Sequence, residues 1–494
     1  MIASKLNFVR VRKGLLYLSF LILLSCSKDF LEKKPLGLLT SDNFFETGEH
    51  AIQALNATYE MLPDFRTHVF AYIALTDIIS DDADKGSTPS DGAPVLVADE
   101  FTFDPGSLII DDSWQGYYRG VKRANWVISR VPEIDMDAAL RDRIVGEAKF
   151  LRAYFYFKMV RWWGALPLIL EPLNREDIAI PRSSDDQIYA SIIQDLTDAA
   201  EVLPLRSKYA RADLGRATKG AAQGLLAKVY LTIKDYPSAA EWALKVINSG
   251  EYTLAENYAR IFTVAGENGP GSIFEIQAKS SLDGGWTQFG QVQGIRPTKG
   301  WGFNRPSDNL VSSYEPGDPR LQATVLYVGE VVPDGSYVVE DNPEMFNERY
   351  NQKAWLPDSE RGNGREGGGN IRVLRYADVL LMAAEALNEM GQSSEALTYL
   401  NMVRDRARGN LPPQILRRIE TADQSQLREI IWKERRAELA MEQHRWFDLL
   451  RTGRAESVMK SVGKNFQSGK HELLPIPQSE IDLSAGAVDQ NPGY

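Results

Sequence analysis

Apolar residues recur at three- and four-residue steps along several stretches of the chain, which is the spacing of one buried helical face. In residues 370–407, Leu380, Ala384 and Leu387 lie on such a face, and a second run of the same period follows Gly391. Glycine commonly ends a helix. The pattern therefore predicts two helices joined by a short turn. A helical hairpin of this kind buries only one side, so we expect it to need stacked neighbours.

The same pattern occurs 156 positions earlier in the chain. The matching residues are Ala227, Leu231, Ala240 and Ile247 in the first copy, and Ala383, Leu387, Ala396 and Val403 in the second. Both copies resemble the tetratricopeptide repeat, in which small residues lie where two helices cross. Two copies so far apart predict a solenoid of helix pairs that is interrupted by insertions.

Other stretches carry weaker helical signals. They predict helices at residues 49–61, 72–79, 113–129, 138–163, 184–203, 218–248 and 425–454. From 251 to 369 the helical period is lost, Gly and Pro are frequent, and aromatic residues stand among polar ones. Residues 363–369 are rich in glycine, but no predicted strand precedes them, so we interpret them as a flexible loop and not as a phosphate-binding loop. The sequence predicts a mainly α protein, with a helical scaffold at 48–249 and 370–494 and a loop-rich insertion at 250–369.

The N-terminus predicts export. Four basic residues precede residues 14–25, a mostly apolar run that is too short to span a bilayer but suits a signal peptide. The run ends at Cys26, the only cysteine in the chain, which excludes internal disulfides. The pattern resembles a bacterial lipobox. It predicts a signal peptide at 1–25, a lipid attached to Cys26 and a tether at 26–47; an ordinary signal peptide with a chance cysteine is the alternative.

Net charge narrows the choice of partner. The full chain carries −11, and removal of residues 1–25 takes away four basic and no acidic side chains, which leaves −15. An acidic body argues against nucleic acid and anionic membrane surfaces as partners.

Few residues suggest catalysis or metal binding. Asp82, Asp84 and Gly86 resemble part of a calcium loop, but the glycine comes one place early and position 93 is Ala where an EF-hand has Glu. The four histidines have no metal-ligand spacing, and neither a nucleophile elbow nor a phosphate-binding loop is present. We therefore predict no catalytic residue, no metal and no cofactor.

Two acidic residues of the central hairpin look structural. Asp378 and Glu385 share one face of a largely apolar helix, about 10.5 Å apart along its axis. That exceeds the separation of glycosidase carboxylates, about 5–9.5 Å. We expect both to be buried and paired with arginines, for which Arg404, Arg406, Arg435 and Arg436 are nearby candidates.

Charges also alternate within the last long predicted helix. They form a ladder at four- and three-residue steps made of Glu438, Glu442, Arg445, Asp448 and Arg451. Such pairs would support the helix by about 0.3 kcal/mol each.

Several sequence blocks carry a family resemblance. They are GEAKFLRAYFYFKMVRWWGALPLI (146–169), NIRVLRYADVLLMAAEALNE (370–389), LNMVRDRA (400–407), ERRAELAMEQHRWFDLLRTG (434–453), LLPIP and QNPGY in 473–494, SDDADKG (80–86) and GDPRL (317–321). Taken in chain order, these blocks span nearly the whole mature chain and resemble the SusD/RagB family. Arg372 stands where the family usually has Pro, and Ala383 where it often has Tyr; we expect that Arg372 could face a ligand.

The resemblance implies a SusD-like fold of four tetratricopeptide-like helix pairs in a right-handed superhelix, with one irregular insertion. It also implies an outer-membrane, surface-exposed lipoprotein whose partner is a SusC-like TonB-dependent transporter. Ligands of the family are usually oligosaccharides, although some members take peptides or other nutrients. The family's ligand residues vary among members, so membership does not name the sugar.

Our main hypothesis is a non-catalytic protein that binds oligosaccharide and passes it to the transporter. Sugar rings pack on flat aromatic side chains, and their hydroxyls need fixed polar partners. The candidate ligand-binding residues are Trp286, Trp301, Trp355, Asp82, Asp84 and Arg296. A peptide-binding RagB-type protein, a secreted glycoside hydrolase and a pure tetratricopeptide scaffold are the alternatives. The hydrolase would need two converging carboxylates, and the scaffold would leave the tryptophans of the insertion unexplained.

Overall fold

The structure is a computed structural model, and it describes residues 44–174, 179–279, 285–345, 347–361 and 367–494. The predicted signal peptide, Cys26, most of the tether and residues 362–366 of the glycine-rich loop lie outside the described residues. Thr47–Tyr494 form one compact unit. Within the described ranges, no helix has both the length and the apolar character needed to cross a membrane.

Helices make up most of the unit. In chain order they are α1 (Gly48–Tyr59), α2 (Phe65–His68), α3 (Phe70–Ile73, continued by a π-helical turn Ala74–Ile78), α4 (Ala93–Asp99), α5 (Leu108–Arg130), α6 (Ala138–Trp163), α7 (Asp185–Val202), α8 (Lys219–Thr232), α9 (Tyr236–Asn248), α10 (Phe289–Gln293), α11 (Asp308–Ser313), α12 (Pro319–Thr324), α13 (Tyr376–Glu389), α14 (Ser393–Arg408), α15 (Gln424–Leu439), α16 (Arg445–Arg451), α17 (Ala455–Ser461) and α18 (Gln478–Leu483). Short 3₁₀ turns occupy Val131–Glu133, Arg206–Lys208, Arg211–Asp213, Ala259–Phe262, Val264–Gly266, Gln352–Ala354 and Asp358–Glu360.

The strands are short and pair two by two, always antiparallel. They are β1 (Ala83–Gly86), β2 (Leu166–Pro167), β3 (Arg182–Ser183), β4 (Ser272–Ile276), β5 (Phe303–Pro306), β6 (Val325–Tyr327), β7 (Arg349–Asn351) and β8 (Ile371–Arg375). The pairs are β1 with β5, β2 with β3, β4 with β8, and β6 with β7. The mainly α fold class is therefore confirmed.

Successive long helices pack against one another through the scaffold, from α5 to α9 and then from α13 to α15. The two predicted repeats are the hairpins α8–α9 and α13–α14, and they pack directly on each other through α9 and α13. A small residue permits the close crossing of α5 and α6. A Cβ at Gly120 of α5 would lie 2.5 Å from the Phe155 ring of α6, so a larger residue there would force the helices apart.

The prediction of one continuous helix at 425–454 is wrong. It divides into α15 and α16, because Met441 and Gln443 between them adopt φ values of 61° and 62°. The predicted charge ladder is broken with it: only Asp448 and Arg451 pair along one helix, at 2.8 Å. Glu438 and Glu442 both bind Arg375 of β8 instead.

The start of the central hairpin also differs from the prediction. Its first helix begins only at Tyr376, because Ile371–Arg375 form strand β8. The expectation that Arg372 could face a ligand is wrong. Its side chain is buried and donates hydrogen bonds to the carbonyls of Ile261 (3.1 Å) and Thr263 (2.9 Å), so it fastens the insertion to the scaffold.

The structural role of the two helical acids is confirmed. Asp378 is fully buried and forms ion pairs with Arg435 (2.8 Å) and Lys228 (2.7 Å). Glu385 is 2% exposed and forms a two-pronged pair with Arg451, at 2.5 and 2.8 Å. Arg435 belongs to α15 and Arg451 to α16. These ion pairs therefore join α13 to the C-terminal helices.

Candidate ligand-binding site

Two segments that are distant in sequence meet at one surface. Strand β1 pairs with β5, which brings the acidic loop after β1 against the turn that precedes β5. We call residues 86–92 together with residues 294–303 the loop junction. The turn is closed by backbone hydrogen bonds from Gly302 to Gly294 and from Lys299 to Ile295, and the Arg296–Pro297 peptide bond in it is cis.

Glycine is required where the two halves of the loop junction touch. Gly86 and Gly92 have φ values of 72° and 64°, in the left-handed region that favours glycine. A Cβ at Gly92 would lie 2.4 Å from the Phe303 ring, and one at Gly86 would lie 2.5 Å from the Gly302 carbonyl. The loop therefore folds tightly onto β5. Lys85 fixes it from inside, since its Nζ donates to the carbonyls of Thr88 and Asp91, both at 2.8 Å.

An ion pair joins the two halves at their surface. Arg296 Nη1 lies 2.6 Å from Asp91 Oδ2 and also donates to Ser87 Oγ at 3.2 Å. Ser87 Oγ in turn donates to Asp91 at 2.9 Å. The Ser87 hydrogen bond, with the charge of Arg296, holds the pKa of Asp91 below its usual value. The side chains of Asp91 and Arg296 remain 35% and 28% exposed, so a ligand can reach these fixed donors and acceptors.

Aromatic side chains lie at the same surface. Trp301 is partly exposed, and its ring meets Phe70 edge-on with centroids 6.2 Å apart. Phe70 also contacts Phe303 edge-on at 5.3 Å and stacks on Phe65 at 5.7 Å. A flat, partly exposed ring in the same turn as a charged side chain has the chemistry that recognises a polar ring such as a sugar.

The base of the acidic loop is clamped by the C-terminal helices. Asp81 accepts two hydrogen bonds from Arg445, at 2.8 and 2.9 Å, and Asp82 accepts one from Arg436 at 2.7 Å. Asp82 is 1% exposed, so it holds the loop in place and no ligand touches it in this arrangement. Asp84 is partly buried and accepts from Asn347 Nδ2 at 2.8 Å; burial is the main reason its pKa is raised.

Trp286 and Trp355, the other two candidate tryptophans, lie away from the Asp91–Arg296 ion pair. Trp286 is 37% exposed and precedes α10, and no ring contact links it to Trp301 or Trp355 in the described part of the chain. Trp355 is 7% exposed, packs with Ile295 and lies 4.5 Å from the Arg361 guanidinium. It lines a separate cavity of about 730 Å³. Of the six predicted residues, the structure thus brings Trp301 and Arg296 together at the loop junction.

Sequence reasoning missed Asp91, Ser87, Phe70 and Phe65. Asp91 and Ser87 lie only a few residues after the predicted residues Asp82 and Asp84, and nothing in the sequence distinguishes Asp91 from Asp82. The two phenylalanines carry no signal, because only the β1–β5 pairing brings them to Trp301. In the described ranges, no group of three or more His, Cys, Asp or Glu side chains is placed to hold a metal ion.

Known proteins resemble this chain over nearly its whole length. The SusD family profile matches residues 270–494, and a SusD-like profile described as starch-binding and associating with the outer membrane matches residues 94–231. SusD-like protein P2 of Formosa agariphila is 32% identical, over 96% of this chain and 98% of that protein. The chain belongs to the SusD family. A SusD-like protein of Bacteroides ovatus is 27% identical over 87% of this chain and 80% of its own length.

Solved SusD-like structures share the fold. A laminarin-binding SusD-like protein is 28% identical and superposes with a TM-score of 0.77, covering 91% of this chain and 100% of that one. Surface glycan-binding protein A from Bacteroides thetaiotaomicron, solved with laminarihexaose, is 27% identical with a TM-score of 0.76, covering 90% and 99%. The similar SusD-family proteins thus include ones that bind glycans.

Proposed function

We propose that this SusD-family protein is a non-catalytic, lipid-anchored protein of the outer-membrane surface. It binds nutrient oligosaccharides at the loop junction and delivers them to a SusC-like TonB-dependent transporter. The observation that carries the binding proposal is that Trp301 is partly exposed and lies in the same loop junction as the exposed Asp91–Arg296 ion pair. Linear β-glucan oligosaccharides are the first ligands to test, because two similar proteins bind laminarin or laminarihexaose.

The electrostatics of the loop junction favour binding over hydrolysis. A general acid must hold a proton near neutral pH. Asp91 is held ionised by Ser87 and Arg296, since both stabilise its charged form. It therefore acts as a hydrogen-bond acceptor for sugar hydroxyls. The predicted lipid on Cys26 and the acidic tethered body would keep the bound ligand at the cell surface.

Calorimetric titration of the mature protein with laminari-oligosaccharides tests the proposal. We expect Trp301→Ala to weaken binding by about 30-fold or more, because a stacking aromatic at a binding hot spot contributes about 2 kcal/mol. The matched control is Trp242→Ala. Trp242 is also partly exposed, but it lies on scaffold helix α9 against Lys245. Its loss should leave the affinity unchanged.

A panel of other glycans and of peptides, with reducing-sugar release measured in parallel, separates the alternatives. Binding of peptides alone would favour the RagB-type function, and release of sugar would favour a hydrolase. Full oligosaccharide affinity in Trp301→Ala would refute the loop junction as the site. Copurification of the lipidated protein with a co-expressed transporter tests delivery, and failure of the pair to associate would count against it.

A further inference from the structure

A small cavity inside the scaffold carries an excess of positive charge. It measures about 20 Å³ and is enclosed by α3, α6, α8, β8 and the segment before α16. A cavity of that size holds one particle the size of a water molecule. Three cationic side chains line it: Lys158, Arg161 and Lys228.

Lys158 is the least compensated of the three. It is 5% exposed, and its Nζ makes one hydrogen bond, to the Tyr72 hydroxyl at 2.6 Å. Its Nζ also lies 4.6 and 5.2 Å from the ring centroids of Tyr72 and Tyr154. Among the described residues, no carboxylate lies within 4 Å of it. Burial above all, and then the charges of Arg161 and Lys228, lower the pKa of the Lys158 ammonium, so the charged form lacks a compensating partner.

Arg161 is also without an acidic partner in the described ranges. Its Nε donates to the Phe157 carbonyl at 2.9 Å, and the guanidinium lies between the rings of Phe157 (4.0 Å) and Phe447 (3.7 Å). Aromatic faces attract a cation, but they do not neutralise its charge.

The acids near the cavity are already committed. Glu442 lines it, yet its two oxygens bind Lys353 (2.7 Å) and Arg375 (2.6 and 2.9 Å). Lys228 pairs with Asp378, and its Nζ also donates to His444 Nδ1 at 3.2 Å. That histidine therefore contributes no charge of its own, since a ring nitrogen that accepts a hydrogen bond is unprotonated.

We propose that this cavity binds one small inorganic anion of chloride size, held by Lys158, Arg161 and Lys228. Buried charges are normally paired, because an unpaired one loses its hydration without compensation. Here two cations have no acidic partner among the residues that the structure describes, and they face a space for one ion. The anion would link α6 to α8 inside the scaffold, and this site is independent of the loop junction.

The first test is crystallographic. Crystals of the wild-type protein are soaked in bromide, and anomalous scattering is recorded at the bromine edge. We expect a bromide peak inside the cavity near Lys158 Nζ. Absence of a peak there, when bromide is in large excess, would overturn the proposal.

The second test measures thermal stability in chloride and in gluconate at the same ionic strength. A ligand that binds only the folded state stabilises it, so we expect Tm to be about 3 °C higher when chloride is about 100-fold above its Kd. Lys158→Met, similar in length and uncharged, should lose this difference. A chloride effect that persists unchanged in Lys158→Met would refute the site.

The matched control is Lys464→Met. Lys464 is also largely buried, but it has an acidic partner, Asp99 at 2.7 Å, and donates to the Ser80 carbonyl at 2.7 Å. That variant should keep the full chloride effect on Tm whatever its own melting temperature. Loss of the effect in both variants would show a general response to charge, and would overturn a specific site.

Discussion

Replacing Glu385 by alanine tests the buried charge pairing of the scaffold. Glu385 of α13 accepts two hydrogen bonds from Arg451 of α16 and one from the Trp432 indole of α15, at 3.1 Å. In Glu385→Ala these donors lose their acceptor inside the protein, although Arg451 keeps Asp448 at 2.8 Å. Breaking a buried pair from one side destabilises a protein by about 3–5 kcal/mol.

That free energy converts to a modest shift in Tm, because the folded unit is large. Unfolding entropy is about 2.1 cal/mol/K per residue, or about 0.9 kcal/mol/K for about 450 residues, so we expect Glu385→Ala to melt about 3–5 °C lower. Differential scanning calorimetry resolves this. The control is Glu389→Ala, one turn later on the same helix. Glu389 pairs with Arg428 near the surface, with side chains 12% and 30% exposed, and should lose about 1 kcal/mol at most.

The pH dependence of stability provides a second test with the same variant. Burial alone raises the pKa of the Glu385 carboxyl, but Arg451 outweighs it and holds the pKa below its usual value. A carboxyl whose pKa is lower in the folded state stabilises the protein above its unfolded pKa of about 4.3, and the contribution disappears as the pH falls through the folded pKa. The gap between wild type and Glu385→Ala should therefore narrow in acid. Equal melting of Glu385→Ala, Glu389→Ala and wild type at pH 7 would refute the reasoning.

Two further predictions concern other parts of the chain. Cys26→Ala should abolish lipid labelling and release the protein from membranes, and unchanged retention in the membrane fraction would contradict the lipobox interpretation. Asp77 is fully buried, and burial raises its pKa to about 7 in spite of hydrogen bonds from Gln443 and Asn304. A carboxyl whose pKa is raised in the folded state stabilises the protein at low pH. That stabilisation is lost as the pH rises from the unfolded pKa of the carboxyl through about 7. Wild type should lose stability relative to Asp77→Asn between pH 4 and pH 8, and parallel pH profiles of Tm would exclude this titration.

Helices with local boundary signals were predictable from the sequence. The predicted bounds of α6 match the structure at both ends. Asp137 caps its first turn by accepting from the Leu140 N–H at 2.8 Å, and Gly164 ends it with a φ of 67°. Caps and terminal glycines act within one turn of the helix, so they can be recognised in a short stretch of residues.

The break between α15 and α16 has no such signal. Residues 440–444 contain neither glycine nor proline. Bonds from far along the chain hold the turn: Gln443 Nε2 donates to Asp77 at 2.8 Å, and Lys353 Nζ donates to the Ala440 carbonyl at 2.8 Å. The hydrophobic periodicity of residues 425–454 carries no information about contacts with residues so distant in the sequence.

Prediction of the candidate site from the sequence was limited in the same way. Asp82 and Asp91 occupy one acidic loop and have the same chemistry, yet Asp82 is held by Arg436 whereas Asp91 meets Arg296 at the surface. Which aspartate serves the scaffold depends on partners more than 200 residues away. The sequence predicted both Asp82 and Arg296 as ligand-binding residues, but it could not show that Asp82 belongs to the clamp and Arg296 to the exposed surface.

The clamp on Asp81 and Asp82 can form only late in the synthesis of the chain. These aspartates are separated from Arg436 and Arg445 by 354 to 364 residues. A ribosome makes the chain from its N-terminus, so Asp81 and Asp82 have neither of these guanidinium partners until residue 436 exists. In a product truncated earlier, Asp81 and Asp82 would be adjacent carboxylates that repel each other. Only a nearly full-length chain can therefore hold these two aspartates in their observed arrangement.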